Sequence, residues 1–121
     1  MIQGTVIGLQ AQVNIILRLP RQQSIEIECV VDTEFAGTLT LPPAMVADLE
    51  LPFVIRMNAN LADDSNVMTS IHQATIIWHG VERDIAVLAM GRRPLLGTAL
   101  LEDSNLNIDF YEGGVVIVDE L

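Results

Sequence analysis

Apolar and polar positions alternate with a period of two along most of this chain. In Ser24-Ile25-Glu26-Ile27-Glu28-Cys29-Val30-Val31, the side chains of Ile25, Ile27, Cys29 and Val31 share one face, the pattern of a half-buried strand. Ala11, Val13, Ile15 and Leu17 repeat it against Gln12, Asn14, Ile16 and Arg18, and the run 4–9 supplies a strand before them. Pro20-Arg21-Gln22-Gln23 makes the intervening turn. Phe53, Ile55, Met57, Ala59 and Leu61 keep the period up to Asp63-Asp64-Ser65-Asn66, a cluster of turn formers that predicts a hairpin with its return arm over 67–78. His79-Gly80 reverses the chain into 83–90. Glu112-Gly113-Gly114 joins 106–111 to 115–118, with glycine supplying the positive φ of a tight turn.

Only two stretches read as helix. Residues 43–50 open on Pro43 and place apolar residues at i, i+4 spacing, and residues 98–103 form a turn or two opened by Thr98, which can cap them. Many short strands with two minor helices predict an all-β fold, closed or sandwiched, in one domain over 1–121. With 121 residues, half of them hydrophobic and 18% charged, the chain buries enough apolar surface to fold and has no room for two cores.

Charge removes several functions. Six arginines, no lysine and sixteen acids give a net charge of −10, the wrong field for nucleic acid. No apolar run approaches the roughly 20 residues of a membrane span and no basic start marks a signal peptide. The expectation is a cytoplasmic protein without membrane or nucleic-acid partners. Cys29 is the sole cysteine and lies on the apolar face of its strand, a core position. A serine elbow and phosphate-binding glycine loops are missing. His72 and His79 are seven apart, on opposite sides of a regular strand, and make a poor zinc pair. No cofactor and no metal are expected.

One place remains for chemistry. In Val30-Val31-Asp32-Thr33 an apolar strand ends abruptly in an acid and a hydroxyl, so the carboxylate of Asp32 is partly desolvated while Thr33 can orient it. The alternative is an ordinary strand-ending aspartate that begins a turn. Further along, Pro94-Leu95-Leu96-Gly97 ends an apolar pair in glycine, where a missing side chain lets another backbone pass closely.

These stretches, in this order and spacing, resemble the retropepsin-like (clan AA), single-domain aspartic proteases of the small prokaryotic type. The pieces are Val31-Asp32-Thr33-Glu34-Phe35-Ala36-Gly37, the run Leu39-Thr40-Leu41-Pro42, Leu61-Ala62-Asp63-Asp64-Ser65 and Leu95-Leu96-Gly97-Thr98. The likeness spans about residues 24–110. It implies a closed acid-protease β-barrel with a flap hairpin and one or two short helices. It also implies an aspartic endopeptidase in which Asp32 activates water and Thr33 supports the loop, with Glu34, Phe35, Ala62, Asp63, Asp64 and Ser65 along the substrate. Two carboxylates sharing one proton are needed to hydrolyse an amide. One Asp-Thr per chain therefore implies a homodimer with Asp32 from each copy at the axis, acting on a peptide or protein. Strands near the ends, including 115–118, would pair between subunits.

Two residues depart from the family pattern. Glu34 stands where the motif has glycine, so a dimer would gather four carboxylates whose repulsion favours an acidic optimum. Asp64 replaces glycine at the flap tip. The competing expectation is a homodimeric module that has lost catalysis and only dimerises or binds peptide as an added strand. Capture of a divalent cation by Asp32 and Glu34 is a third reading.

Overall fold

The computed structural model describes residues 1–20, 23–60 and 63–121. Its strands are β1 (Ile2–Ile7), β2 (Gln10–Arg18), β3 (Ser24–Val31), β4 (Leu39–Leu41), β5 (Phe53–Asn60), β6 (Asn66–Trp78), β7 (Val81–Ala89), β8 (Leu95–Leu96), β9 (Ser104–Ile108) and β10 (Val115–Glu120). Two short helices, α1 (Pro43–Asp48) and α2 (Thr98–Leu101), complete the described elements. No helix among the described residues is long and apolar enough to cross a membrane.

All ten strands belong to one sheet in the order β5-β6-β7-β4-β8-β3-β2-β1-β10-β9, and β6 pairs with β2 as well. The pairings β2-β3-β8-β4-β7-β6 therefore return to β2. Local chemistry accounts for the hairpins. His79 and Gly80 both have positive φ, 51° and 79°, which matches the twist of the strands they join. Gly113 does the same at φ 85° for β9 and β10. Alternation accounts for the inner face: Val13, Ile15 and Leu17 of β2, Ile27 and Cys29 of β3, and Ala74, Ile76 and Trp78 of β6 are all buried in one core.

Several expectations need correction. β4 and β8 escape the period-two reading because they are three and two residues long; β4 is buried along its whole length, as a strand covered on both faces is. Phe53, Ile55 and Met57 alternate as expected, yet Phe53, Val54 and Ile55 are all more than half exposed, because β5 is an edge strand standing out with β6. Thr98 does not cap α2. Gly97 is the N-cap residue, and the Thr98 hydroxyl donates instead to the Phe35 carbonyl at 3.3 Å. β10 is not available for pairing between subunits, since β1 takes one of its edges and β9 the other. The turn at 20–23 includes Arg21 and Gln22, which lie outside the described residues.

One contact joins the two hairpin ends. The Glu112 carboxylate accepts the N–H groups of Gly8 at 2.9 Å and Leu9 at 3.1 Å, pinning a turn in which Leu9 itself has φ 58°. These two bonds favour the ionised carboxylate and hold Glu112 below its ordinary value of 4.5. A lowered folded value means that its stabilisation is complete above pH 4.5 and is lost as pH falls through the folded value. The melting-temperature gap between wild type and Glu112→Gln is therefore expected to narrow from pH 5 to pH 3; a gap constant over that window would contradict the role of the ionised form.

Candidate active site

β3 carries the chain out of the core to Asp32, and β8 holds the exit. Val30 and Val31 pair in parallel with Leu95 and Leu96, and the Asp32 N–H continues the ladder by donating to the Leu96 carbonyl at 2.9 Å. Asp32 is half-buried. Its Oδ1 accepts the Glu34 N–H at 3.0 Å and its carbonyl accepts the Phe35 N–H at 3.2 Å. Together they close the turn that aspartate favours.

The turn rests on Gly97. Gly97 N–H donates to the Thr38 carbonyl at 2.9 Å, Thr98 N–H to the Phe35 carbonyl at 2.8 Å and Ala99 N–H to the Gly37 carbonyl at 3.1 Å. A Cβ on Gly97 would overlap the Gly37 carbonyl oxygen and the Phe35 ring and carbonyl. The close backbone passage expected of this glycine is thus present. Leu96 and Leu100, both fully buried, fasten the support to the core.

Asp32 opens onto two grooves. One, of about 600 Å³, is lined by Asp32, Glu34 and Phe35 of the turn, by Leu88, Met90 and Leu95, and by Met57, Asn58 and Asn60 of β5. Its described lining holds two acids and no base. The other, of about 460 Å³, is lined by Asp32 and Thr33 with Leu9, Leu106, Ile108 and Phe110. Asp32, Glu34 and Phe35 thus line one groove together, while Thr33 lines the other. Ala62 lies outside the described residues. Asp63, Asp64 and Ser65 form the exposed hairpin turn and line neither groove. There the Asp63 carboxylate accepts the Ser65 N–H at 3.0 Å and hydroxyl at 2.5 Å, which keep it below its ordinary 3.8. Asp64 takes the left-handed conformation, φ 65°.

Sequence reasoning did not single out Met57, Asn58, Asn60, Leu88 or Met90. They come from stretches whose place beside Asp32 is set by strand pairing over long distances; the apolar run Val87-Leu88-Ala89-Met90 at the end of β7 and just beyond it was the available signal.

The other candidates are accounted for inside the fold. Cys29 is fully buried, and burial, with the Glu28 charge beside it, pushes its thiol up to about 12, which makes it inert. His72 is tied to Leu51 and Ser70, and His79 to Ser104. Among the described residues no three His, Cys, Asp or Glu side chains gather as a metal site would require.

No family model matches the chain, and no curated protein matches it. Among solved structures it is similar to a retropepsin-like aspartic protease from Rickettsia conorii, over 98% of this chain and 94% of that one, with a TM-score of 0.55 and 14% sequence identity. The chain has a retropepsin-like fold. In this fold the Asp32 turn and Leu95, both within stretches that carry the sequence resemblance, border one groove together with residues of β5.

Proposed function

We propose that this chain is an aspartic endopeptidase that works as a homodimer, with one Asp32 from each copy. The observation that carries the reading is Asp32 in the lining of a groove of about 600 Å³ that β5 also borders, with its backbone N–H bonded to the Leu96 carbonyl. An extended peptide fits such a groove, and Phe35, Met57, Leu88, Met90 and Leu95 favour apolar side chains on it.

The chemistry needs both copies. An ionised Asp32 takes a proton from water as the water oxygen bonds to the scissile carbon, while the protonated Asp32 of the partner subunit gives its proton to the carbonyl oxygen. Collapse of that tetrahedral species then breaks the C–N bond as the Asp32 that took the water's proton gives it to the leaving nitrogen and the other Asp32 takes back a hydroxyl proton, which restores the starting pair. The Glu34 N–H at Asp32 Oδ1 orients the carboxylate throughout.

Unstructured casein-type substrates incubated with the wild-type protein between pH 4 and 7 should be cleaved, and an aspartic-protease inhibitor should stop the cleavage. Binding without cleavage at every pH would favour the peptide-binding module instead, with the Glu34 carboxylate in place of glycine as its cause.

A further inference from the structure

One buried hydroxyl beside the Asp32 groove has nothing to bond to among the described residues. β4 lies between β7 and β8, with Leu39 level with Val87 and Leu96, and Thr40 level with Leu88 and Leu95. Leu39, Val87 and Leu96 are fully buried in the core. Side chains alternate along a strand, so Thr40 stands on the other face of β4. There Thr40, Leu88 and Leu95 all line the groove that holds Asp32 and Glu34.

Thr40 is only 3% exposed, and its Oγ1 has no hydrogen-bond partner among the described residues. Thr69, the other threonine buried this deeply, is satisfied: its hydroxyl donates to the Ala89 carbonyl at 2.8 Å. An orphaned buried hydroxyl costs stability, and a valine would suit a strand equally well without that cost. Apolar walls with a single placed polar group are how a pocket fixes the orientation of a ligand.

We infer, resting on the reading of this groove as a peptide site, that Thr40 is a specificity-determining residue whose hydroxyl pairs with one neutral polar side chain of the bound peptide. A threonine hydroxyl both donates and accepts. Serine, threonine, asparagine or glutamine therefore satisfies it, whereas an aliphatic side chain of the same shape leaves it unpaired. An acidic side chain would meet the carboxylates of Asp32 and Glu34 in a groove whose described lining contains no base, and like charges repel. The groove thus takes apolar side chains at other positions of the peptide and a neutral hydrogen-bonding one where the peptide meets Thr40.

Cleavage sites in unfolded casein, mapped by mass spectrometry for wild type and Thr40→Val, test this. Around the wild-type sites one fixed position should be enriched in serine, threonine, asparagine and glutamine. In synthetic peptides built on the best-cut site, replacing that residue by its apolar isostere (valine for threonine, leucine for asparagine) or by an acid should lower wild-type kcat/KM by about tenfold or more. Thr40→Val should cut the apolar version at least as well as the parent peptide. The variant should also melt about 3 °C or more above wild type, since it loses an orphan and no bond; a lower melting temperature would show that the hydroxyl serves the fold and would overturn the inference. Equal isostere ratios for wild type and variant overturn it too and leave the peptidase standing. If wild type holds the casein peptides without cutting them, the peptidase reading fails, and the same isostere comparison made on Kd decides Thr40. A wild-type protein that neither cuts nor binds them removes both.

Discussion

Asp32→Asn is expected to lower kcat/KM for peptide hydrolysis by at least about 10³-fold while leaving the melting temperature and the dimer in place. Asparagine keeps the shape of the side chain and an oxygen that can accept the Glu34 N–H, so the turn at 32–35 persists. It cannot share a proton with its counterpart, and water is no longer activated. Mixing gives a sharper readout. When wild type and variant exchange subunits, only dimers with two wild-type copies retain the pair, so activity should fall as the square of the wild-type fraction. A linear fall would mean that each copy works alone.

Gly97→Ala is expected to destabilise the protein by about 3 kcal/mol or more, a large share of the roughly 5–15 kcal/mol that holds a domain of this size folded. The added methyl would meet the Gly37 carbonyl and the Phe35 ring and carbonyl, and backbone atoms do not step aside as a flexible side chain does. Relief would require the segment 35–38 to lift from α2, breaking the bonds from Gly97, Thr98 and Ala99. A urea titration would show the midpoint falling with the slope unchanged. An unchanged midpoint would mean that the passage of the two segments is looser than these contacts require. Because the same segment carries Phe35 into the groove, activity should fall further than the loss of folded protein accounts for.

What was legible in the sequence was the local part of the fold. β3 matches its alternating stretch from Ser24 to Val31, since side-chain direction along a strand depends only on neighbouring dihedrals. His79-Gly80 and Gly113 announced their turns through the positive φ that glycine accepts. β4 and β8 were not legible, because a strand of two or three buried residues has no period to read. β5 misled: its alternation is real, but alternation does not say whether a face meets a core or solvent, and only the position at the edge of the sheet does.

The candidate site divides in the same way. Asp32 and Gly97 stood out from the sequence because an acid ending an apolar strand and a glycine closing an apolar pair are local anomalies. Met57, Leu88 and Met90 had no such mark, since their neighbourhood with Asp32 is created by strand pairings far apart along the chain. The resemblance implied that the strand at 115–118 would meet a partner. Folding instead closes both of its edges, with β1 on one side and β9 on the other.

By itself, then, the sequence determined an all-β chain built of hairpins, a buried inert Cys29 and one acid, Asp32, at the end of a core strand, because each follows from spacing, turn chemistry and side-chain type. Only the tertiary structure decided that Thr33 and Glu34 line different grooves beside Asp32, that β5 rather than the Asp63–Ser65 turn lines the groove with Glu34, and that β9 has a single strand partner among the described residues. Those facts depend on which distant strands share hydrogen bonds, and pairing is settled by the whole sheet at once.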